Sequence, residues 1–246
     1  MTDRKRAFWR VNFAHRGLFD NDNQVPENSM AAFKAAVEEG YGIELDVQLS
    51  KDGEVVVFHD HTLDRMCKVA GNVEDYTYEE LHEMRLLDTD ETISLLSDVL
   101  SVIEQGTGPL IVELKTCRRR NELCRKTYDI LQQYKVVYCV ESFDPFIVYW
   151  FKKNAPEVVR GQLAQRKSDY PKEISRPVAA MLANCCFSFL NKPDFIAYKN
   201  VERPRHVHRL RKKGVMLFAW TSTTPDVDQK ENDGVIFEQY RPAVRF

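Results

Sequence analysis

Ile43-Glu44-Leu45-Asp46-Val47-Gln48-Leu49, Ser50-Lys51-Asp52-Gly53 and Glu54-Val55-Val56-Val57-Phe58-His59-Asp60 follow one another in this chain, and their reading decides the fold. Both arms are rich in residues that suit strands. Asp52-Gly53 between them is a tight-turn pair. A four-residue loop sets Leu49 opposite Glu54 and therefore Glu44 opposite His59. Side chains alternate along a strand, so Asp46 shares the face of Glu44. Two carboxylates and an imidazole then meet on one patch with no long-range fold assumed. Such a patch has the composition of a divalent-metal site with an acid/base group beside it.

The same residue types recur outward from the hairpin. Upstream, Phe13-Ala14-His15-Arg16-Gly17 is a short apolar strand that ends in an imidazole, a guanidinium and a glycine. The planar fork of Arg suits phosphate oxygens. Glycine lets the chain turn and lets a ligand approach the backbone. Downstream, Leu110-Ile111-Val112-Glu113-Leu114-Lys115 is another strand, with Glu113 and Lys115 on one face.

At 246 residues the chain suits one domain of barrel size, and 43% hydrophobic content supplies a sizeable core. Thirty-five basic and 37 acidic residues leave a formal charge of −2, so no nucleic-acid footprint is visible. The basic start (Arg4, Lys5, Arg6, Arg10) is not followed by a long apolar run, which predicts neither a signal peptide nor membrane insertion. Phe8 and Trp9 are expected to cap the floor of the domain. Six cysteines without a C-x-x-C pair read as reduced thiols and point to the cytoplasm. No oligomeric state is legible.

Strands and helices alternate, which argues for an α/β protein with a parallel sheet. Strands are expected at 11–15, 43–49, 54–59, 110–115, 136–142, 159–163, 194–198, 215–220 and 234–238. The hairpin link is too short for a parallel crossover, so one of its arms runs antiparallel to the rest. Asn28 is expected to cap a helix over 29–39 that Gly40 ends, and Asp144-Pro145 opens another. Thr77-Tyr78-Glu79-Glu80 opens a short helix within the charged stretch 61–94. The apolar run 178–190 is too short to span a membrane and is read as a buried helix.

Glu44, Asp46 and Glu113 are read as metal ligands. At solvated strand ends they would be unremarkable, but each is flanked by apolar residues on a strand expected to be central. A charge there is costly unless paired or bound to a cation. Three carboxylates without a soft ligand favour Mg²⁺ or Ca²⁺ over zinc, and the sequence does not choose between those two. His15 and His59 are read as acid/base partners, since imidazole exchanges its proton near neutral pH. Arg16 and Lys115 are read as phosphate contacts. His61, His82, His206 and His208 are assigned no role, and Arg118, Arg119 and Arg120 are taken as an exposed helix start that could broaden a positive rim.

Taken in order, His15-Arg16-Gly17, Pro26-Glu27-Asn28-Ser29, Glu44-x-Asp46, His59-Asp60-x-Thr62-Leu63 and Glu113-x-Lys115 resemble the glycerophosphodiester phosphodiesterase family. Ser142-Phe143-Asp144 and Ala219-Trp220-Thr221 fit its later strands. The resemblance implies a closed TIM (β/α)8-type barrel over 1–246, with a short insertion, about 61–94, after the second-strand hairpin. It implies metal-dependent hydrolysis of a small-molecule glycerophosphodiester to sn-glycerol 3-phosphate and an alcohol. It makes His15 the base and His59 the acid. Trp220, at a strand end, is read as a contact for the substrate glycerol or leaving group, with core packing as the alternative. The sequence departs from the family at Ile93-Ser94-Leu95-Leu96, at Thr223 and at Glu238-Gln239-Tyr240-Arg241-Pro242, which bears on the leaving group. A lysophospholipase D-like or sphingomyelinase D-like activity on lipids is the alternative, with Phe8, Trp9 and Phe187–Leu190 as an apolar rim.

Overall fold

The computed structural model describes residues 3–225 and 231–246, in two compact units: Phe13–Tyr138, and Cys139–Phe246 together with the first twelve residues.

The first unit is built around three parallel strands. Strands β1 (Val11–His15) and β2 (Gly42–Leu49) pair in parallel, with His15 beside Glu44. Two short strands follow β2: β3 (Val55–Val57) pairs antiparallel with it, and β4 (Ser94–Leu95) pairs antiparallel with β3. Strand β5 (Leu110–Leu114) pairs in parallel with β2, setting Asp46 beside Glu113. Every side chain of β2 and β5 is buried, as expected of strands covered on both faces. Helices Met30–Glu38, Leu96–Ile103 and Arg120–Leu131 make the connections.

The hairpin differs from expectation by one residue. Leu49 faces Val55 and Val47 faces Val57, so Glu44 is not set opposite His59. The cause is Ser50: its N–H donates to Glu54 O (3.0 Å) and its Oγ accepts from the Glu54 N–H (2.8 Å), so five residues form the loop. Gly53 sits there at φ +87, where a side chain would be strained. Beyond β3, residues 58–93 form a satellite cluster. Leu63, Met66, Val73, Leu81, Leu86 and Ile93 pack on Val56 and Phe58. Within it Thr77 caps Tyr78–His82 through a reciprocal bond with Glu80, as the sequence predicts.

The helix over Met30–Glu38 is capped by Ser29, whose side chain accepts from the Ala32 N–H. Asn28, expected to be that cap, lies one residue outside at φ +55 and is free for another task. Gly40 ends the helix at φ +73, as expected.

The second unit carries five parallel strands: β6 (Tyr138–Ser142), β7 (Val159–Ala164), β8 (Phe195–Lys199), β9 (Met216–Ser222) and β10 (Gly234–Phe237). Phe195 stacks on Phe218 with centroids 4.5 Å apart. A Cβ on Gly161 would lie 2.2 Å from the Phe195 ring, so that glycine is what admits the stack. Arg4 and Lys5 reach Asp194 at 2.9 and 3.3 Å, which explains the basic start. Phe8 is buried as expected of a floor residue, whereas Trp9 is partly exposed beneath Arg10. Asp144 caps helix Pro145–Asn154 through the Phe146 N–H.

All nine expected strands form within two residues of their expected ends, and β4 is additional. The run 178–190 does not form one buried helix. It breaks into Arg176–Ala183 and Ser188–Asn191, and Val178, Met181 and Phe189 stay 43, 43 and 77% exposed. An apolar run marks no face by itself. Here only Ala179, Ala183 and Cys185 point inward among the apolar residues of the helix and the turn after it. Among the described residues no helix is long and apolar enough to cross a membrane.

Candidate active site

The parallel registers of the first unit assemble the candidate site. Glu44 and Asp46 lie two apart on β2 and so share a face. The β2–β5 register brings Glu113 level with Asp46. The three offer one carboxylate oxygen each within 4.8 Å of one another, and all three side chains are buried. Lys115, the residue after β5, places Nζ 2.9 Å from Glu113 Oε1 and 3.2 Å from Asp46 Oδ1. At the end of β1, His15 Nε2 lies 4.0 Å from Glu44 Oε2. The next residue, Arg16, donates its backbone N–H to the same oxygen at 3.1 Å, while its Nε lies 3.5 Å from Asp46.

That turn has a steric basis. Arg16 and Gly17 both have left-handed φ angles, +55 and +81. A Cβ on Gly17 would come within 2.8 Å of the Ala32 carbonyl carbon, so the close approach of helix Met30–Glu38 requires glycine.

The family described as the glycerophosphoryl diester phosphodiesterase family matches residues 15–238. A glycerophosphodiester phosphodiesterase of Caldanaerobacter subterraneus is 33% identical over 232 residues, covering 89% of this chain and 86% of its own. The chain belongs to the glycerophosphoryl diester phosphodiesterase family. A phosphodiesterase of Oleispira antarctica, solved with the product sn-glycerol-3-phosphate, superposes with a TM-score of 0.77 at 24% identity, covering 93% of each chain. The glycerophosphodiester phosphodiesterase of Thermotoga maritima superposes with a TM-score of 0.69 at 28% identity, covering 92% of this chain and 93% of its own. The fold is therefore the (β/α)8 barrel that the resemblance implies, with the antiparallel β3 and β4 as additions beside β2.

For a glycerophosphoryl diester phosphodiesterase family member, the electrostatics of the acid cluster are informative. Burial works to raise the Asp46 pKa, but Lys115, His59 and Arg16 outweigh it and hold the carboxyl well below its usual range. Glu113 goes the other way: burial pushes it up and Asp46 beside it adds to that, against the pull of Lys115. Burial disfavours the Lys115 ammonium, yet Asp46 and Glu113 together hold it charged above its ordinary range. The cluster thus carries more negative charge than its cations settle comfortably. Asn28 donates Nδ2 to Asp46 Oδ2 at 2.9 Å, and its Oδ1 is buried with no hydrogen-bond partner among the described residues. Three carboxylates and a spare amide oxygen are the all-oxygen donor set of a hard divalent cation.

His59 is positioned by a chain of charges. Its Nδ1 lies 2.6 Å from Asp60 Oδ1. Despite burial, His59 and Arg65 hold Asp60 below its usual range, so it is an ionised acceptor and the His59 Nδ1 carries the proton. Arg65 Nε donates to Asp60 Oδ2 (2.6 Å), and its two terminal nitrogens donate to Glu27 at 2.9 and 2.6 Å. Glu27 in turn accepts from Arg16 Nη1 at 2.6 Å. The run Arg16–Glu27–Arg65–Asp60–His59 ties the phosphate-type cation to the imidazole. Despite burial, the two arginines lower the Glu27 pKa to about 2. The Phe58 N–H donates to Asp46 O at 3.0 Å, so His59, the next residue, follows beside the strand of the cluster although the hairpin register is not the expected one.

Seven of the residues singled out in the sequence therefore lie together in the first unit: His15, Arg16, Glu44, Asp46, His59, Glu113 and Lys115. Trp220 belongs to the second. Its Nε1 donates to Ala164 O (3.2 Å) and Ala197 O (3.0 Å), and its ring meets Phe143 edge-on at 5.5 Å. Two residues escape the sequence reading. Asn28 is mistaken for a cap because two capping residues, Asn28 and Ser29, stand side by side, and Arg65 carries no local signal. Glu27, which the sequence leaves open between a cap, a support for the site residues and an extra substrate contact, joins Arg16 to Arg65.

Proposed function

We propose that this protein hydrolyses the phosphodiester of glycerophosphodiesters, releasing sn-glycerol 3-phosphate and an alcohol. The observation that carries the reading is the flanking of one buried acid cluster by two imidazoles, His15 and His59, and two cations, Arg16 and Lys115. Glu44, Asp46 and Glu113 would hold Mg²⁺ or Ca²⁺, which when bound supplies a Lewis acid for the phosphate and fixes the substrate.

The chain's own residues do the rest. Arg16 and Lys115 hold the phosphoryl oxygens and stabilise the charge that builds on them. His15 removes the proton from the attacking oxygen. His59, its Nδ1 proton held by Asp60, gives a proton to the leaving alcohol from Nε2. Asp60 and Arg65 position that ring, and Trp220 packs against the substrate. We read 1–246 as one catalytic domain with a small insertion at about 61–94. The setting is cytoplasmic recovery of glycerol phosphate from lipid breakdown, in keeping with six cysteines that form no disulfide among the described residues.

His15→Ala and His59→Ala test the roles. Each should lower turnover about a hundredfold or more, a usual loss for a general acid or base. Turnover near that of the parent in both variants would overturn them. A lipid-acting reading draws on the exposed Phe189, Met181 and Val178, though not on Phe8, which is buried. Activity on lysolipid vesicles but not on glycerophosphocholine would support it.

A further inference from the structure

A cavity of about 460 Å³ opens in the first unit, walled by Gln48, His61, Glu74, Thr116, Arg118 and Arg119 among others. Three of its walls continue segments that carry the active site. Gln48 is two residues past Asp46 on β2, Thr116 follows Lys115, and His61 is two past His59. Gln48 Nε2 donates to Phe58 O (2.9 Å) and Asp60 O (2.7 Å), which ties the His59 segment to this wall. The Phe58 N–H donates to Asp46 O at 3.0 Å, so the same segment, with His59 between Phe58 and Asp60, also runs beside the strand of the acid cluster. In the proposed reaction His59 protonates the leaving oxygen, which makes the cavity reached along this segment the candidate place for the leaving alcohol.

The lining says what alcohol fits. Arg119 is committed, to Glu122 at 2.8 Å and to Ser50 O at 2.9 Å. Arg118 is exposed and makes no ion pair among the described residues. Glu74 supplies a carboxylate acceptor on the same lining as His61 and Arg119. Among the described residues no Phe, Tyr or Trp lines the cavity. A quaternary ammonium is recognised on aromatic faces, which this wall lacks. Hydroxyl groups are recognised by fixed donors and acceptors, which it has.

Resting on the glycerophosphodiester reading, we propose that this cavity takes the departing alcohol and selects a polyol, such as glycerol or inositol, over a quaternary-ammonium alcohol such as choline. Arg118 donates to its hydroxyl oxygens and Glu74 accepts from its hydroxyls.

The test compares kcat/KM for glycerophosphoinositol, glycerophosphoglycerol and glycerophosphocholine, read as glycerol 3-phosphate release with Mg²⁺ or Ca²⁺ present. The parent should favour the polyol diesters by about tenfold or more, the equivalent of one charge-assisted hydrogen bond. Arg118→Ala and Glu74→Gln, both at exposed positions, should each cut that ratio about fivefold, chiefly through KM. Equal or greater activity on the choline diester in the parent would overturn the proposal. So would a ratio unchanged in both variants. Hydrolysis of none of the three diesters is a different result: it removes the underlying reading, and the proposal with it.

Discussion

Replacing Lys115 by Met should destabilise the protein strongly without a divalent cation and much less with one. The ammonium is about nine-tenths buried and lies 2.9 Å from Glu113 and 3.2 Å from Asp46. At an effective dielectric of about 20, unit charges at such separations attract by roughly 5 kcal/mol per pair. Desolvation of the three groups offsets much of that. Removing one partner of a buried ion pair nevertheless costs about 3–5 kcal/mol, because the remaining charges stay buried without compensation. Methionine fills a similar volume, so packing contributes little to the loss. For a domain of this size the expected fall in Tm is roughly 10 °C. A cation held by Glu44, Asp46 and Glu113 would restore the missing positive charge. At a hundred times its Kd it returns about 2.7 kcal/mol to either protein by mass action. Tighter binding to the uncompensated cluster makes the gain larger in the variant. Thermal unfolding of parent and Lys115→Met, in EDTA and in saturating Mg²⁺ or Ca²⁺, measures both effects. A variant as stable as the parent in EDTA, or a cation-induced rise no larger than the parent's, would refute the reasoning.

Arg65→Ala should lower kcat about tenfold or more with a smaller change in KM, because Arg65 orients Asp60 and through it His59; an unchanged kcat would show that His59 needs no such support. Glu27 makes stability depend on acid. Its pKa is lowered from 4.5 to about 2 in the folded chain, so its contribution is complete above about pH 5 and is lost as pH falls toward 2. The shift corresponds to about 3 kcal/mol, reduced to roughly 2 because Arg65 is partly exposed. Urea unfolding of the parent and Glu27→Gln between pH 6 and 3 should show a flatter profile in the variant, and parallel profiles would contradict the assignment. Gly17→Ala should cost about 1–3 kcal/mol, since its φ of +81 and the nearby Ala32 backbone leave no room for a Cβ; a midpoint within a few tenths of the parent's would rule out that steric reading.

Much of the site was legible because strand periodicity is a local property. Glu44 and Asp46 two apart, and Glu113 and Lys115 two apart, put four charges on shared faces before any pairing was known. The pairing of β2 with β5 was not read there: alternation argues for a parallel sheet but leaves the order of its strands open. The hairpin register was less accessible. Its loop length is decided by the Ser50 side chain closing on the Glu54 N–H, a bond that turn composition does not announce. The same limit explains Asn28. Neighbouring Asn28 and Ser29 are both good caps, and the choice was made by a buried partner, Asp46, eighteen residues away. Arg65 was invisible for a stronger version of that reason, since its partner Glu27 is 38 residues away and neither position is periodic. The exposed 178–190 segment shows the converse. A run that is apolar except for Asn184 and Ser188 carries little phase, so it could not tell which side chains would face solvent.

The most direct test is glycerol 3-phosphate release from glycerophosphodiesters by the purified chain, in EDTA and after Mg²⁺ or Ca²⁺ is restored, beside Glu44→Gln and Glu113→Gln. Release that EDTA abolishes, that one of the ions restores in the parent and that neither ion restores in the variants is the expected result. Release unaffected by EDTA, or equally fast in the two variants, would contradict a metal-dependent phosphodiesterase built on Glu44, Asp46 and Glu113.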